Sequence, residues 1–256
     1  MNNKEHRSTK RVIDILSQIA DSENQGVSLA ELSSKLDAPK SSLFPILYTL
    51  KEYNLINYHK ETCKYTMGYK TYELGNAFVK DGTVNAAILD IMHDITRQSR
   101  ETCFFGELIE GNVFYLFKTD SPESLRMVSP GKTLPAYSSG IGKALLSDMS
   151  LEDLQKLYPG KLEPITPNTI TDLNILAQQL QKIRVQGIAF EKEESTQFIQ
   201  CIAIPIRRNG KVRAALSVAI PVFRYSNEKE AMIIGLLKQA QIRIEELISS
   251  SEWTHF

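Results

Sequence analysis

A chain of 256 residues with 42% apolar and 23% charged side chains has the composition of a folded protein, not of a disordered or low-complexity one. It is long enough for a small domain of about 70 residues joined to a larger one of about 170. Thirty Lys and Arg balance thirty Asp and Glu, so bulk charge announces no nucleic-acid partner, although residues 1–70 hold 10 basic against 8 acidic side chains.

The three cysteines, Cys63, Cys103 and Cys201, are odd in number and far apart, which argues against a disulfide framework or a zinc knuckle. No structural metal and no cofactor are expected. Residues 1–11 are polar and lack the apolar core of a signal peptide, and no later run approaches a membrane span, so a cytoplasmic location without a membrane partner is expected.

Val12, Ile15, Leu16 and Ile19 recur at i, i+3, i+4 and i+7, which predicts a first amphipathic helix. Ser28 with Glu31 three residues later forms a capping box and starts a second helix, whose apolar face is Leu29, Leu32 and Leu36. Asp37-Ala38-Pro39 breaks that pattern, and a third stripe of Leu43, Ile46, Leu47 and Leu50 begins at once. Two short helices across so tight a turn predict a helix-turn-helix.

At about 100° per residue, Ser41, Pro45 and Tyr48 lie opposite the third stripe, with Phe44 on its flank. Hydroxyls there can bond phosphates or base edges and aromatic carbons can pack on thymine methyls, so this face suits double-stranded DNA. Lys40, with Lys4, Arg7, Lys10 and Arg11 ahead of it, is expected to attract phosphates. Proline is tolerated without loss only in a first helical turn, so Ser42 is expected to be the N-cap that places Pro45 there. Leu55–Tyr58 and Lys64–Met67, joined through His59-Lys60-Glu61-Thr62, read as a two-stranded wing with Lys60 and Lys64 near its turn. The alternative is a small helical bundle with no DNA role.

Tyr72, Leu74 and Phe78 mark a linker helix over residues 69–82, either a dimerisation arm or a spacer. A dimer is expected because helix-turn-helix proteins bind paired half-sites. Val84, Ile88, Ile91 and Ile95 begin the second domain, 83–250, with another helix. Residues 102–108 and 113–118 form a hairpin around Gly111-Asn112. Ser138-Ser139-Gly140-Ile141-Gly142 opens a helix whose bare amides could attract an anion, or whose glycines merely allow close packing. Thr171 is read as the cap of a helix closed by Gly187. Residues 201–206 and 212–220 flank Asn209-Gly210, a strong hairpin signal, and a last helix starts at Asn227 boxed with Glu230. This order predicts an α+β domain with an antiparallel sheet between helical layers.

Catalytic signatures are missing. His6, His59, His93 and His255 group neither with the cysteines nor with a nucleophile elbow, and Cys201 in an apolar strand reads as a small buried hydrophobe. The remaining alternatives are a sensor working through protein contacts and, behind it, a hydrolase using Cys201 or Ser217.

An ordered set of short motifs runs through the chain: Leu29-Ala30-Glu31-Leu32, Pro39-Lys40-Ser41-Ser42-Leu43 with Leu47 and Leu50, and Leu134-Pro135. Ser139-Gly140 with Gly142-Lys143-Ala144-Leu145-Leu146 follows, then Thr169-Ile170-Thr171-Asp172, Glu193-Glu194, Cys201-Ile202-Ala203 and Ala214-Ala215-Leu216-Ser217-Val218. From about Ser8 to Leu247 this set resembles the IclR family of bacterial transcriptional regulators. The resemblance implies a winged helix-turn-helix over residues 8–68, a linker helix, and a GAF-like domain that binds a small organic acid, in dimers that pair into tetramers.

Carried over by position, it implies an effector pocket of Leu125, Met127, Gly140, Ile141, Glu191, Ile199, Cys201 and Ser217. It also implies DNA contacts from Arg7, Lys10, Ser28, Lys40, Ser41, Ser42, Phe44, Pro45, Tyr48, Lys60 and Lys64. Phe198 stands where such proteins usually carry glycine, and Ala219-Ile220 replace Ser-Gly; both changes suggest a narrower, more apolar pocket, suited to a sugar-derived or aromatic carboxylate.

Overall fold

Helix α1 (Arg7–Ala20) forms where the first apolar stripe is written and turns Ile15 and Ile19 inward. The computed structural model describes residues 6–22, 25–79, 84–123 and 133–250, in two units, 1–81 and 82–256. In the first unit α1 is followed by strand β1 (Val27–Ser28), helices α2 (Leu29–Lys35) and α3 (Lys40–Glu52), strands β2 (Ile56–His59) and β3 (Lys64–Met67), and helix α4 (Tyr69–Val79). Leu32, Leu43, Leu47, Leu50 and Ile56 close a core on Ile15 and Ile19. Asp37, at φ 44° in the turn between α2 and α3, supplies the left-handed residue that lets two helices meet so abruptly. The wing has a third strand, because β1 pairs with β3 in the order β1-β3-β2. Two residues carry no periodicity, so sequence pattern alone passes over it.

The register expected for α3 does not hold. Pro39, not Ser42, is the N-cap, and the Pro39 carbonyl accepts from the Ser42 and Leu43 amides at 2.9 and 3.3 Å. Pro45 is therefore an interior residue. Burial of Leu43, Leu47 and Leu50 fixes which turns are helical, and that packing outweighs the donor lost at residue 45. Pro45 itself sits on the exposed face.

The second unit starts with α5 (Val84–Ser99) and the hairpin β4 (Thr102–Ile109) and β5 (Asn112–Thr119). Then come β6 (Thr133–Pro135), α6 (Gly140–Leu146), α7 (Leu151–Leu157), α8 (Leu173–Gln186), β7 (Ala189–Lys192), β8 (Ile199–Arg208), β9 (Lys211–Pro221) and α9 (Asn227–Ser249). The six strands make one antiparallel sheet, β6-β5-β4-β9-β8-β7. Each sheet face has its own core. Residues Ile88, Met92, Ile95, Leu216, Val218, Leu237 and Ile244 bind α5 and α9 to one face, while Phe104, Ile141, Leu146, Leu154, Leu176, Leu180 and Ala215 bind α6, α7 and α8 to the other. Helix α6 packs so closely that a Cβ on Gly142 would lie 2.0 Å from the Ala136 carbonyl.

Several ends shift by a residue. Glu110-Gly111, at φ 47° and 80°, turns the first hairpin, not Gly111-Asn112, while Asn209-Gly210 makes the second as expected. Asp172 rather than Thr171 caps α8, accepting from the Asn174 and Ile175 amides at 2.7 and 3.2 Å, and Ser226 rather than Asn227 caps α9. In each case two adjacent residues could cap, and tertiary packing selects one.

Because Pro45 lies outside the first turn and is exposed, Pro45→Ala should restore an amide donor and raise the stability of the first unit by about 1–3 kcal/mol. Thermal unfolding of the full chain reads this; an unchanged or lower transition would show that Pro45 costs α3 nothing.

Candidate DNA-reading face and effector cavity

The outer face of α3 carries Ser41, Phe44, Pro45 and Tyr48, all exposed, with the two aromatic residues each 56% exposed. Lys40, Phe44, Tyr48 and Ser28 meet at one cleft of ≈ 490 Å³, whose far wall is the wing residues Tyr58, Cys63 and Tyr65. Lys60 and Lys64 line a second cleft of ≈ 550 Å³ on the other side of the wing, with His59 and Thr62. Arg7 and Lys10 lie exposed on α1 and belong to neither cleft. Two of the expected hydroxyls are committed elsewhere. Ser28 is the cap of α2, its Oγ donating to Glu31 Oε2 at 2.7 Å, and Ser42 Oγ donates to the Pro39 carbonyl at 2.8 Å while accepting from Arg11 at 3.4 Å.

In the second unit Gly140, Ile141, Ile199, Cys201 and Ser217 come together around one cavity of ≈ 30 Å³, about the room of a single water. Glu191 stands behind it, opposite Cys201 in the β7–β8 register, and a Cβ on Gly140 would lie 2.9 Å from Cys201 Cβ and 3.4 Å from Glu191 Cβ. Leu125 and Met127 lie outside the described residues. Sequence reasoning missed Phe104, Tyr115, Leu134, Ser139, Ser195, Thr196 and Ala219, which complete the wall. Phe104 reaches it by the plain alternation of β4, opposite Ser217 of β9, and Tyr115 from the part of β5 before the bulge at Leu116 that sends Phe117 to the opposite core.

Phe198 does not narrow the cavity. It is 66% exposed, outside the wall, and its φ of 64° is the left-handed conformation in which glycine is at ease. Its amide donates to Glu193 Oε1 at 2.7 Å and its carbonyl accepts from Val222 at 2.9 Å, which holds that backbone and turns the ring to solvent. Of the other pair, Ala219 lines the cavity while Ile220 belongs to the opposite core, as strand alternation requires. The helix mouth is also less bare than expected, since Ser139 Oγ accepts from the Gly142 amide at 3.2 Å.

Buried charge organises the loop that carries Ser195 and Thr196. Lys143, fully buried on α6, donates to Glu194 and, at 2.9 Å, to Gln179. The Glu194 carbonyl accepts from Thr169 at 2.6 Å and Thr166 at 3.2 Å. Glu191 Oε1 accepts from the Glu194 amide and, at 3.2 Å, from the Ser195 amide, but Glu191 Oε2 has no hydrogen-bond partner among the described residues. Burial lifts this carboxyl to about 7, against the opposing pull of the Glu194 amide, the adjacent Cys201 thiol and the Ser195 amide. Burial and the neighbouring Glu191 push the Cys201 thiol well up, so it is held protonated. Glu107, buried on β4 with both oxygens unpartnered among the described residues, is raised by burial to about 8. Among the described residues no group of His, Cys, Asp and Glu could hold a metal ion, and no helix is long and apolar enough to cross a membrane.

The family description "IclR helix-turn-helix domain" matches residues 8–59, and "Bacterial transcriptional regulator IclR C-terminal" matches residues 77–246. The chain belongs to the IclR family. It is 30% identical over 240 residues to the HTH-type transcriptional regulator KdgR of Escherichia coli, covering 93% of this chain and 90% of that one. Among solved structures it is similar to an IclR transcriptional regulator from Alicyclobacillus acidocaldarius, with a TM-score of 0.85, 21% identity and coverage of 95% and 99%. It is also similar to an IclR homolog from Microbacterium hydrocarbonoxydans complexed with 4-hydroxybenzoate, with a TM-score of 0.83, 20% identity and coverage of 95% and 100%. This IclR-family protein is a DNA-binding transcriptional regulator, with a winged helix-turn-helix ahead of a GAF-like α+β domain.

Two outcomes follow from the buried charges of this regulator. Glu191 and Glu107 ionise near 4.5 when unfolded but keep their protons to about 7 and about 8 when folded, so the folded state binds more protons in between. Stability therefore falls as pH rises from about 4.5 through 8, and Glu191→Gln should flatten that slope by on the order of 2 kcal/mol, read by urea unfolding at pH 5 and pH 8. Lys143→Met leaves Glu194 buried without its cation and should cost about 3–5 kcal/mol. A loss below about 1 kcal/mol would mean that the loop relaxes into water.

Proposed function

We propose that the operator affinity of this regulator is set by a small hydroxylated organic acid, of the sugar-acid or aromatic-acid class, bound in the cavity between α6 and the sheet. The observation that carries this is chemical: one small cavity gathers apolar walls (Phe104, Ile141, Ile199, Ala219), hydroxyls (Ser139, Ser195, Thr196, Ser217) and, behind them, a buried Glu191 oxygen with no hydrogen-bond partner among the described residues. A ligand hydroxyl can donate to Glu191 Oε2, while the hydroxyls receive its polar end and Phe104 its carbon skeleton. The likeness to a structure holding 4-hydroxybenzoate supports the aromatic class. At ≈ 30 Å³ the cavity admits such a ligand only when its walls part, which ties occupancy to the position of the loop bearing Ser195 and Thr196. The protein works by binding and not by turnover, a reading supported by its likeness to transcriptional regulators and, for Cys201, by a thiol held neutral. It acts in the cytoplasm as a dimer or a pair of dimers, which matches paired half-sites. Arg7, Lys10, Lys40, Lys60 and Lys64 supply phosphate contacts.

Fluorescence anisotropy with DNA from upstream of its own gene, across a salt series and a panel of sugar and aromatic acids, tests this reading. Affinity should weaken with salt and shift about 5- to 150-fold with one ligand. Ser217→Val should abolish the ligand shift and leave DNA affinity intact. A ligand shift unchanged in Ser217→Val would place the effector elsewhere.

A further inference from the structure

We infer that α3 selects its operator through the C5-methyl groups of pyrimidines, thymine above all, with Phe44 and Tyr48 as the reading side chains. This rests on the DNA-binding function of the chain and not on the effector reading. The major groove offers a distinct edge for each base, and each edge has a matching side-chain chemistry. Guanine is met by a forked or cationic donor, adenine by Asn or Gln, cytosine by a carboxylate, and thymine by an apolar surface against its methyl.

From Pro39 through Leu50 the chain holds no Arg, Asn, Gln, Asp or Glu. What the helix exposes instead is two aliphatic hydroxyls, Ser41 and Thr49, the latter donating to the Pro45 carbonyl at 2.9 Å, and an apolar surface of Phe44, Pro45 and the Tyr48 ring. Pro45 adds a ring and removes an amide donor in the middle of that surface. Ser42, the remaining hydroxyl at the start of the helix, is already bonded to the Pro39 carbonyl and to Arg11.

The cations flank this surface. Lys40 is the first residue of α3, placed for phosphate, and Lys51 pairs with Glu52 at 3.4 Å with its ammonium 5.9 Å from the centre of the Tyr48 ring. Beside Phe44 and Tyr48 runs the ≈ 490 Å³ cleft toward Tyr58 and Tyr65, so a methyl group against either ring enters an aromatic surround. Removal of such a methyl from water is worth about a fourfold change in affinity for each one buried.

The test starts with selection of bound sequences from a randomised duplex library by the full-length protein, which defines the half-site. Each thymine in it is then replaced singly by deoxyuridine, which removes the C5-methyl and nothing else. Affinity should fall about fourfold at one or more positions in each half-site, and the ratio of thymine to deoxyuridine binding should return to about one in Phe44→Ala or Tyr48→Ala while the dependence on salt stays unchanged. Phe44→Leu, which keeps an apolar contact, should retain part of the ratio. A companion pair of duplexes, with a C·G pair at the same position bearing or lacking the C5-methyl, separates thymine from methylcytosine as the source: tighter binding of the methylated form means that the methyl is read wherever it occurs. Equal binding of thymine and deoxyuridine duplexes at every position, a half-site without thymine, or a ratio that survives both alanine variants would overturn the inference. Failure to enrich any sequence would count against DNA reading as a whole, a result distinct from insensitivity to deoxyuridine.

Discussion

The antiparallel pairing of β4 with β9 is the constraint on which the second unit depends. It brings Thr102 opposite Ala219 and Gly106 opposite Ala215, joining two hairpins that lie far apart in the chain. Without it there would be two separate three-stranded sheets, β6-β5-β4 and β9-β8-β7, and no continuous face for the helices to cover. With it, β4 and β9 become central strands, buried on both faces, and the helices have two surfaces to cover. The cavity lies on one of those faces, where Phe104 from β4 and Ser217 from β9 are opposite each other in register.

A second layer of organisation is electrostatic. The loop after β7 has few apolar anchors, and its backbone is instead tied down by Thr166, Thr169 and the amide-to-carboxylate bonds of Glu191. Lys143 reaches this loop from within α6, so the helix that forms the cavity mouth and the loop that forms its rim share one ion pair. A buried pair of this kind adds little over a well-packed apolar pair, but losing one partner leaves the other charge uncompensated. Glu191 bonds the loop with one oxygen and leaves the other without a hydrogen-bond partner among the described residues, so the residue that holds the rim also faces Cys201 beside the cavity.

The two candidate sites differ in chemical character. The small cavity lies against buried ionisable groups, whereas the outer face of α3 is open, aromatic and sparing in charge. A chain of zero net charge gains little from long-range attraction to DNA, and the exposed cations of the first unit include Lys40 at the start of α3 and Lys60 on the wing.

Much of this was legible in the residues themselves. The stripe Leu43, Leu47, Leu50, the Ser28–Glu31 box and the Asn209-Gly210 turn are local signals, complete within a few positions, and each produced the expected element. Gly140, Ile141, Ile199, Cys201 and Ser217 were expected together through family resemblance, and they share one cavity. Features that depend on distant partners were not legible. β1 is a strand only because β3 lies beside it, Pro45 is interior only because core packing sets the helix register, and Tyr115 and Phe117 point to opposite cores only because a bulge changes the alternation of β5. The orientation of Phe198 belongs here too, since its left-handed backbone is imposed by Glu193 and Val222. Sequence by itself determined the helices, hairpins and overall class, because capping, turn chemistry and periodicity act over a few residues; tertiary structure decided which side chains meet, because register, burial and the pairing of buried charges are settled only when distant segments pack.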